Sequence, residues 1–253
     1  CWMPQPTRSS KKLIRMTNGK IYLVPNTLGG ETLRDIIPSE VIEIASALRT
    51  FAVEDIKSAR RLLRKMDREF PIDESEFFLL NKRTVPEDLQ KILREVKNGK
   101  DLGIISEAGC PGIADPGAEL VALAQQKGIH IVPMVGPSSI LLALIGSGFS
   151  GQNFSFHGYL PKERKDRVRK LKDFEADSRR NGHTHIFMDT PFRNMNVLDD
   201  LLNELADTTM ICIASNITLP DASVRTMSVK DWRENAYDLS KIPTMFLIGI
   251  SQT

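Results

Sequence analysis

The sequence predicts an α/β protein of two α/β domains with a ligand cleft between them. Short apolar runs alternate with segments whose apolar residues recur every three or four positions, and glycines and prolines fall between them. One uncharged stretch, Pro133-Met134-Val135-Gly136-Pro137-Ser138-Ser139, divides this pattern into halves. Strand–helix alternation implies a largely parallel sheet covered on both faces. The domains are read as 19–134 and 135–253, behind a polar leader over 1–18 that is expected to be mobile.

The elements follow in order. Ile21–Val24 reads as a strand ended by Pro25, and Val41, Ile44, Ala45 and Leu48 recur at helical spacing before a strand at Thr50–Val53. Ile56, Ala59, Leu63 and Met66 form a second helix face, followed by a strand at 77–80. Leu89, Ile92, Leu93 and Val96 form a third, closed by Gly99 ahead of a strand at 102–106. A fourth helix over 116–127 ends at Gly128 and feeds a strand at 129–133. The second half is less regular. Strands are expected at 153–157, 184–188, 209–214 and 244–250, and helices at 138–146, 163–177 and 193–206. Val197, Leu198, Leu201, Leu202 and Leu205 give the last helix its apolar face.

Composition narrows the function. Lys+Arg 34 against Asp+Glu 32 gives a net charge of +2, so any nucleic-acid contact is local. The three cysteines, Cys1, Cys110 and Cys212, are far apart and form no CxxC pair, which argues against a disulfide framework or a zinc site and for a reducing cytoplasm. Residues 131–156 carry no charge, but prolines, glycines and serines interrupt them, so they read as strand, turn and helix in a soluble chain without a membrane span. GxGxxG, GxxxxGK[ST], GxSxG and HExxH are absent. His183 and His185 point to one face of a strand, but two ligands without a third make a weak metal site, so no metal is expected.

Three loops leave a strand and enter a helix, where ligands gather in open α/β sheets. The richest is 106–117, SEAGCPGIADPG, whose small residues let backbone approach a ligand. Asp115 there reads first as a helix cap beside Pro116, and Cys110 as a packing residue rather than a nucleophile. Ser138 and Ser139 either cap the next helix or bond a ligand carboxylate, and Asp189 reads as a cap for the helix after the 188–193 loop. Arg193 reads as a solvated first-turn cation.

The same loops carry a resemblance to a known family. GIISEAGCPGIADPG (103–117) resembles the S-D-A-G-T-P-x-I-x-D-P-G signature of the ribosomal RNA small-subunit methyltransferase I family, within the tetrapyrrole methylase superfamily. In order along the chain, IYLVPNTLGG (21–30), IHIVPMVGPSSILLALIGSGF (129–149), FSFHGYLPK (154–162) and IFMDTPFRN (186–194) are similar to further motifs of that family. Coverage runs over nearly the whole chain from residue 20.

The resemblance implies S-adenosylmethionine folded into the cleft, usually a homodimer, and methylation of a ribose 2′-hydroxyl of small-subunit ribosomal RNA. By position it implies cofactor contacts at Pro25, Ala108, Gly109, Cys110, Ile113, Ser138, Ser139, Met188, Asp189, Ala214, Thr244 and Met245. A ribose hydroxyl is a poor nucleophile and profits from a carboxylate that takes its proton, for which Glu107, Glu54 and Asp55 are the candidates. Glu107 has a second reading, as the residue that orients its loop. The run 162–172 holds seven cations and two acids; either it is a solvated helix face, or Lys162, Arg164, Lys165 and Arg167, with Arg193, contact RNA phosphates.

This sequence departs from the family pattern. A-E-D-T-R appears as Val53-Glu54-Asp55-Ile56-Lys57, and D-A-G-T-P as Glu107-Ala108-Gly109-Cys110-Pro111. These departures leave two alternatives: methylation of a tetrapyrrole or other small molecule, and binding of S-adenosylmethionine without transfer.

Overall fold

A computed structural model describes residues 18–30, 32–235 and 238–250; the leader, up to residue 17, lies outside the described residues. The first sheet is built from β1 (Ile21–Val24), β2 (Thr50–Val53), β3 (Glu76–Leu79), β4 (Leu102–Ile105) and β5 (Ile131–Pro133), in the order β3-β2-β4-β1-β5 with every pair parallel. Helices α1 (Ser39–Ala47), α2 (Ile56–Met66), α3 (Pro86–Lys97) and α4 (Gly117–Gln126) are the crossovers.

Alternation along the strands sends side chains to two cores. Phe51 and Val53 of β2 join Val41 and Ala45 of α1 and Leu62 and Leu63 of α2, whereas Ala52 joins Leu89, Ile92 and Leu93 of α3 and Leu120 of α4. Thus β1 leaves toward one face of the sheet and its neighbour β4 toward the other. Between two such strands the connecting loops diverge and open a crevice at the carboxyl ends, where α/β sheets bind ligands.

The second sheet contains β6 (Phe154–Tyr159), β7 (Thr184–Met188), β8 (Met210–Ser215), β9 (Ser223–Ser228) and β10 (Thr244–Gly249), in the order β6-β7-β10-β8-β9. Helix α5 (Ser139–Ser147) covers one face, where Ala143 and Leu144 meet Ile186, Cys212 and Leu247. Helices α6 (Arg164–Asn181), α7 (Asn194–Glu204) and α8 (Val229–Asn235) cover the other, around Phe187, Phe246 and Trp232.

Most expected elements appear within two residues of their expected ends, although α6 runs four residues further. The second sheet corrects the largely parallel expectation: only β6 and β7 pair in parallel, and β10 runs antiparallel to both β7 and β8. Strand β9 and helix α8 were not expected. β9 reads SVRTMS, a polar sheet edge with no apolar alternation, and α8 has seven residues, too few to show a helical period. The uncharged stretch 131–156 resolves into β5, α5 and the start of β6, and no helix among the described residues is long and apolar enough to cross a membrane.

Candidate active-site cleft

The loops at the carboxyl ends of β1 and β4 are tied together by backbone and amide bonds. Asn26 N–H donates to the Gly109 carbonyl at 2.9 Å, and its side-chain amide donates to the carbonyls of Ser106 (3.2 Å) and Glu107 (2.9 Å). The Ser106 hydroxyl donates back to the Ala108 carbonyl at 3.2 Å. Two glycines let the loop after β5 close against these. A Cβ on Gly136 would lie 2.1 Å from Pro25 Cβ, and Gly109, at φ +68°, lies where a side chain would crowd Leu28 and the Pro137 carbonyl.

These loops face β7, β8 and β10 across a cleft. One lobe of about 320 Å³ is lined by the 106–115 loop, Ser138, Ser139, Phe156 and Tyr159. A second lobe of about 270 Å³ is lined by Asp189, Ala214, Asn216, Ile217, Leu219, Thr244 and Met245. Leu28, Ala108, Ser139, Tyr159 and Met188 border both lobes, which makes them one continuous groove. A larger hollow of about 660 Å³ lies at the opposite, amino-terminal end of the first sheet, beside Thr50, Glu76 and Asp101.

Of the cofactor positions named from the sequence, the structure gathers Ala108, Gly109, Cys110, Ile113, Ser138, Ser139, Met188, Asp189, Ala214, Thr244 and Met245 around this groove. Pro25 lies behind it, against Gly136. Ser138 caps α5, accepting from the Leu141 N–H at 3.5 Å. Cys110 directs its thiol at the Pro137 carbonyl, 3.4 Å away, and burial pushes the thiol pKa up, consistent with a packing role.

The carboxylates divide by task. Asp55 is the N-cap of α2, accepting from the Ser58 N–H at 2.7 Å, and that bond holds its pKa below the ordinary value. Asp115 accepts from the Gly112 (2.8 Å) and Gly117 (2.7 Å) N–H groups, bracing the loop at the start of α4. Glu54 borders the groove and accepts from the Glu107 N–H at 3.4 Å. Burial raises its pKa above the ordinary glutamate value; the Glu107 N–H opposes this, and the negative charges of Asp115 and Glu107 add to it. The Glu107 carboxylate is exposed and makes no hydrogen bond among the described residues, so Asn26 and Glu54 hold that loop rather than Glu107 itself.

Asp189 does not cap α7. Its carboxylate is buried, accepts from the Thr190 N–H, and pairs with Arg193 at 2.5 Å, so Arg193 is a held cation rather than a solvated one. The second oxygen, Oδ2, is buried with no partner. Sequence reasoning missed Leu28, Tyr159 and the 216–219 loop. Asn216 and Thr218 there have positive φ values of 50° and 74°, and an asparagine beside a strand end was the one available signal.

Three of the four histidines gather elsewhere, at the amino end of β7. His157 Nε2 lies 2.9 Å from His185 Nδ1, His185 Nε2 lies 2.9 Å from Asp177, and His183 lies 2.8 Å from the Ser155 hydroxyl. Asp177 supplies the third group missing from the sequence pattern, with ligand atoms of Asp177, His183 and His185 within 4.8 Å of one another. Protein partners already occupy both His185 nitrogens.

A parallel sheet and a mostly antiparallel one clasp a groove of small-residue loops, an architecture shared with solved methyltransferases. The chain superposes on the crystal structure of the methyltransferase CobJ with a TM-score of 0.60 at 18% identity, covering 91% of this chain and 94% of that one. On cobalt precorrin-4 methyltransferase, CbiF, the TM-score is 0.57 at 19% identity, covering 93% and 95%. The profile of the tetrapyrrole (corrin/porphyrin) methylases matches residues 39–232, and the chain belongs to that family. It is 30% identical to the ribosomal RNA small subunit methyltransferase I of Escherichia coli O157:H7 over 80% of this chain and 66% of the relative. The same-named protein of Vibrio cholerae serotype O1 is 30% identical over 83% and 69%, and that of Bacillus subtilis (strain 168) 33% over 75% and 61%. The chain thus spans about two thirds of the length of these relatives.

Proposed function

We propose that the chain transfers the methyl group of S-adenosylmethionine to a ribose hydroxyl of RNA, with small-subunit ribosomal RNA, the substrate in its relatives' names, as the substrate class. The observation that carries this reading is the groove itself, built from the loops whose sequences resemble the motifs of that methyltransferase family. When bound, S-adenosylmethionine supplies an electrophilic methyl on a sulfonium.

The groove suits such a molecule. Buried polar atoms in folded proteins are almost always paired, so the lone Asp189 Oδ2 is a prepared acceptor for a ligand hydroxyl or ammonium. Leu28, Ile217, Leu219 and Met245 offer an apolar wall to an adenine ring, and the small residues Ala108, Gly109 and Ala214 line it without side chains that would fill the space. Glu54, with its raised pKa, takes the proton of the attacking hydroxyl, and the loops align the two reactants. The reading carries with it a cytoplasmic setting and pairing with a second copy, for which Leu141 and Ile145 on α5 present exposed apolar surface.

Labelled S-adenosylmethionine incubated with the protein and RNA from cells lacking it tests the proposal. Label recovered as 2′-O-methylribose is the expected result; no transfer, together with no calorimetric heat from the methyl donor, overturns it. Glu54→Gln should lower kcat by roughly 10²–10⁴ while leaving donor affinity within about twofold. In the wild type the acid limb of kcat should lie above the ordinary glutamate range, since activity is lost as pH falls through the raised Glu54 value.

A further inference from the structure

Beside the groove lies a second hollow of about 220 Å³, which shares only Leu28, Glu107 and Ala108 with the groove's described lining. One side is the loop from Asn26 to Gly30, and the other is a stripe of α2 formed by Ser58, Arg61, Leu62 and Lys65. The positions 58, 61, 62 and 65 recur at helical spacing and so share a face. Ala59, Leu62 and Leu63 bury the inner side of α2 against the first sheet, which fixes the helix and turns its cations outward.

The charge on α2 is one-sided. Its eleven residues include Lys57, Arg60, Arg61, Arg64 and Lys65 and no acid. Arg60 lies over the Phe77 ring and Arg64 donates to the Arg68 carbonyl, but Arg61 and Lys65 make no hydrogen bond or ion pair among the described residues. The single described acid bordering this hollow is Glu107, on the side shared with the groove. An anion would therefore sit toward α2, next to whatever occupies the groove. At about 1.5 Å per residue the helix is about 16 Å long, enough to follow more than one phosphate of a nucleic-acid strand.

We propose that this hollow holds a backbone phosphate of the RNA strand next to the nucleotide being methylated, with Arg61 and Lys65 as its cationic contacts and α2 as the track for neighbouring phosphates. The inference rests on the RNA-methylating reading and adds where the strand lies. The basic helix α6, which the sequence marks more strongly, is not the track. Its Arg164, Arg167 and Lys172 are bound to Asp200 and Glu204, and Arg169 to Asp166. No hollow described around the groove is lined by α6.

The test is fluorescence anisotropy with a labelled single-stranded fragment of small-subunit ribosomal RNA, titrated at several salt concentrations. The Arg61→Ala, Lys65→Ala double variant should bind about tenfold more weakly at 0.1 M salt. Its log–log salt slope should be shallower by about 0.7, the release expected from one single-strand phosphate. Donor affinity by calorimetry and the melting temperature should stay at wild-type values, and the loss should fall on KM for RNA rather than on kcat. Lys65→Glu provides a second variant, with a larger loss expected. Lys165→Ala with Arg169→Ala on α6 should change RNA affinity less than threefold. If the wild type binds and methylates RNA while the α2 variants match it, or while only the α6 variant falls, the phosphate site is overturned and the RNA reading stands. If the wild type neither binds nor methylates RNA, both are overturned.

Discussion

Helices α2 and α6 hold the two densest runs of cations in the chain, and their charges meet opposite fates. On α6, Arg167 is buried and gives Asp200 a 2.7 Å ion pair through Nε, with its Nη1 donating to the Pro161 and Lys162 carbonyls; Arg164 and Lys172 reach Glu204 at 2.8 and 2.9 Å. On α2 the cations stand exposed, with Arg61 and Lys65 answered by nothing described. The partners of Arg164, Arg167 and Lys172 lie on α7, more than thirty positions away in the chain. Charge density along a sequence therefore measures how much charge must be accommodated, not how much is free. Only the packing of a second element decides that.

The sharpest way to break the comparison is to delete one cation from each helix. Arg167→Ala leaves a carboxylate that is 4% exposed facing the interior, and removing one member of a buried pair costs about 3–5 kcal/mol. The effect should fall at the lower end of that range, since Arg164 still reaches Asp200 at 2.9 Å. Arg61→Ala, at an exposed position without partners, should stay within about 0.5 kcal/mol. Urea unfolding of both variants measures the difference, and equal losses would show that α2 is as structural as α6.

A second difference concerns what each helix faces. The inner side of α6 stacks Phe174 on His157 and His185, with centroids 4.2 and 4.5 Å apart. Burial pulls His157 down to about 4, with the neighbouring His185 and Lys170 charges adding to it, and His185 is also lowered, chiefly by burial. In the unfolded chain these imidazoles take up protons near pH 6.5, whereas in the fold they stay neutral. Their contribution is thus present above that value and lost as pH falls from about 6.5 toward about 4. Discounted for partial exposure, His157 should cost about 1 kcal/mol between pH 7 and pH 5. His157→Gln should flatten that part of the stability profile; an unchanged slope would remove the imidazole stack as its source.

Much of the fold was legible because the first sheet obeys local rules. Phe51, Ala52 and Val53 are apolar on both faces of a buried strand, and Leu89, Ile92, Leu93 and Val96 show one helix stripe. The groove was legible because its walls are loops whose small residues follow strands in a fixed order, so eleven positions from Ala108 to Met245 converge there. What was not legible depends on distant partners. Arg193 looked solvated until Asp189 was seen beside it, and β9 announces itself only by pairing with β8. Asp55 and Glu54 are adjacent in sequence, yet one turns to cap α2 and the other to the groove. Backbone direction at the end of β2 separates them, and composition cannot.

The smallest effect tests the outer edge of α6, where the comparison is most easily overstated. Glu204 bridges Arg164 and Lys172, whose side chains are 63% and 52% exposed. Exposed pairs of this kind contribute little, because water already solvates the charges and the side chains lose freedom in meeting. Glu204→Gln should shift the melting temperature by no more than about 2 °C, and that shift should vanish in 1 M salt, where the Debye length is about 3 Å. The same variant frees Lys172 on α6 and leaves Arg164 on Asp200 alone, without adding a cation. RNA affinity should nevertheless stay within about twofold, because α6 borders neither the groove nor the hollow beside it. A clear gain in affinity would show that the strand reads any unpaired basic face, and that location on α2 is not what selects it.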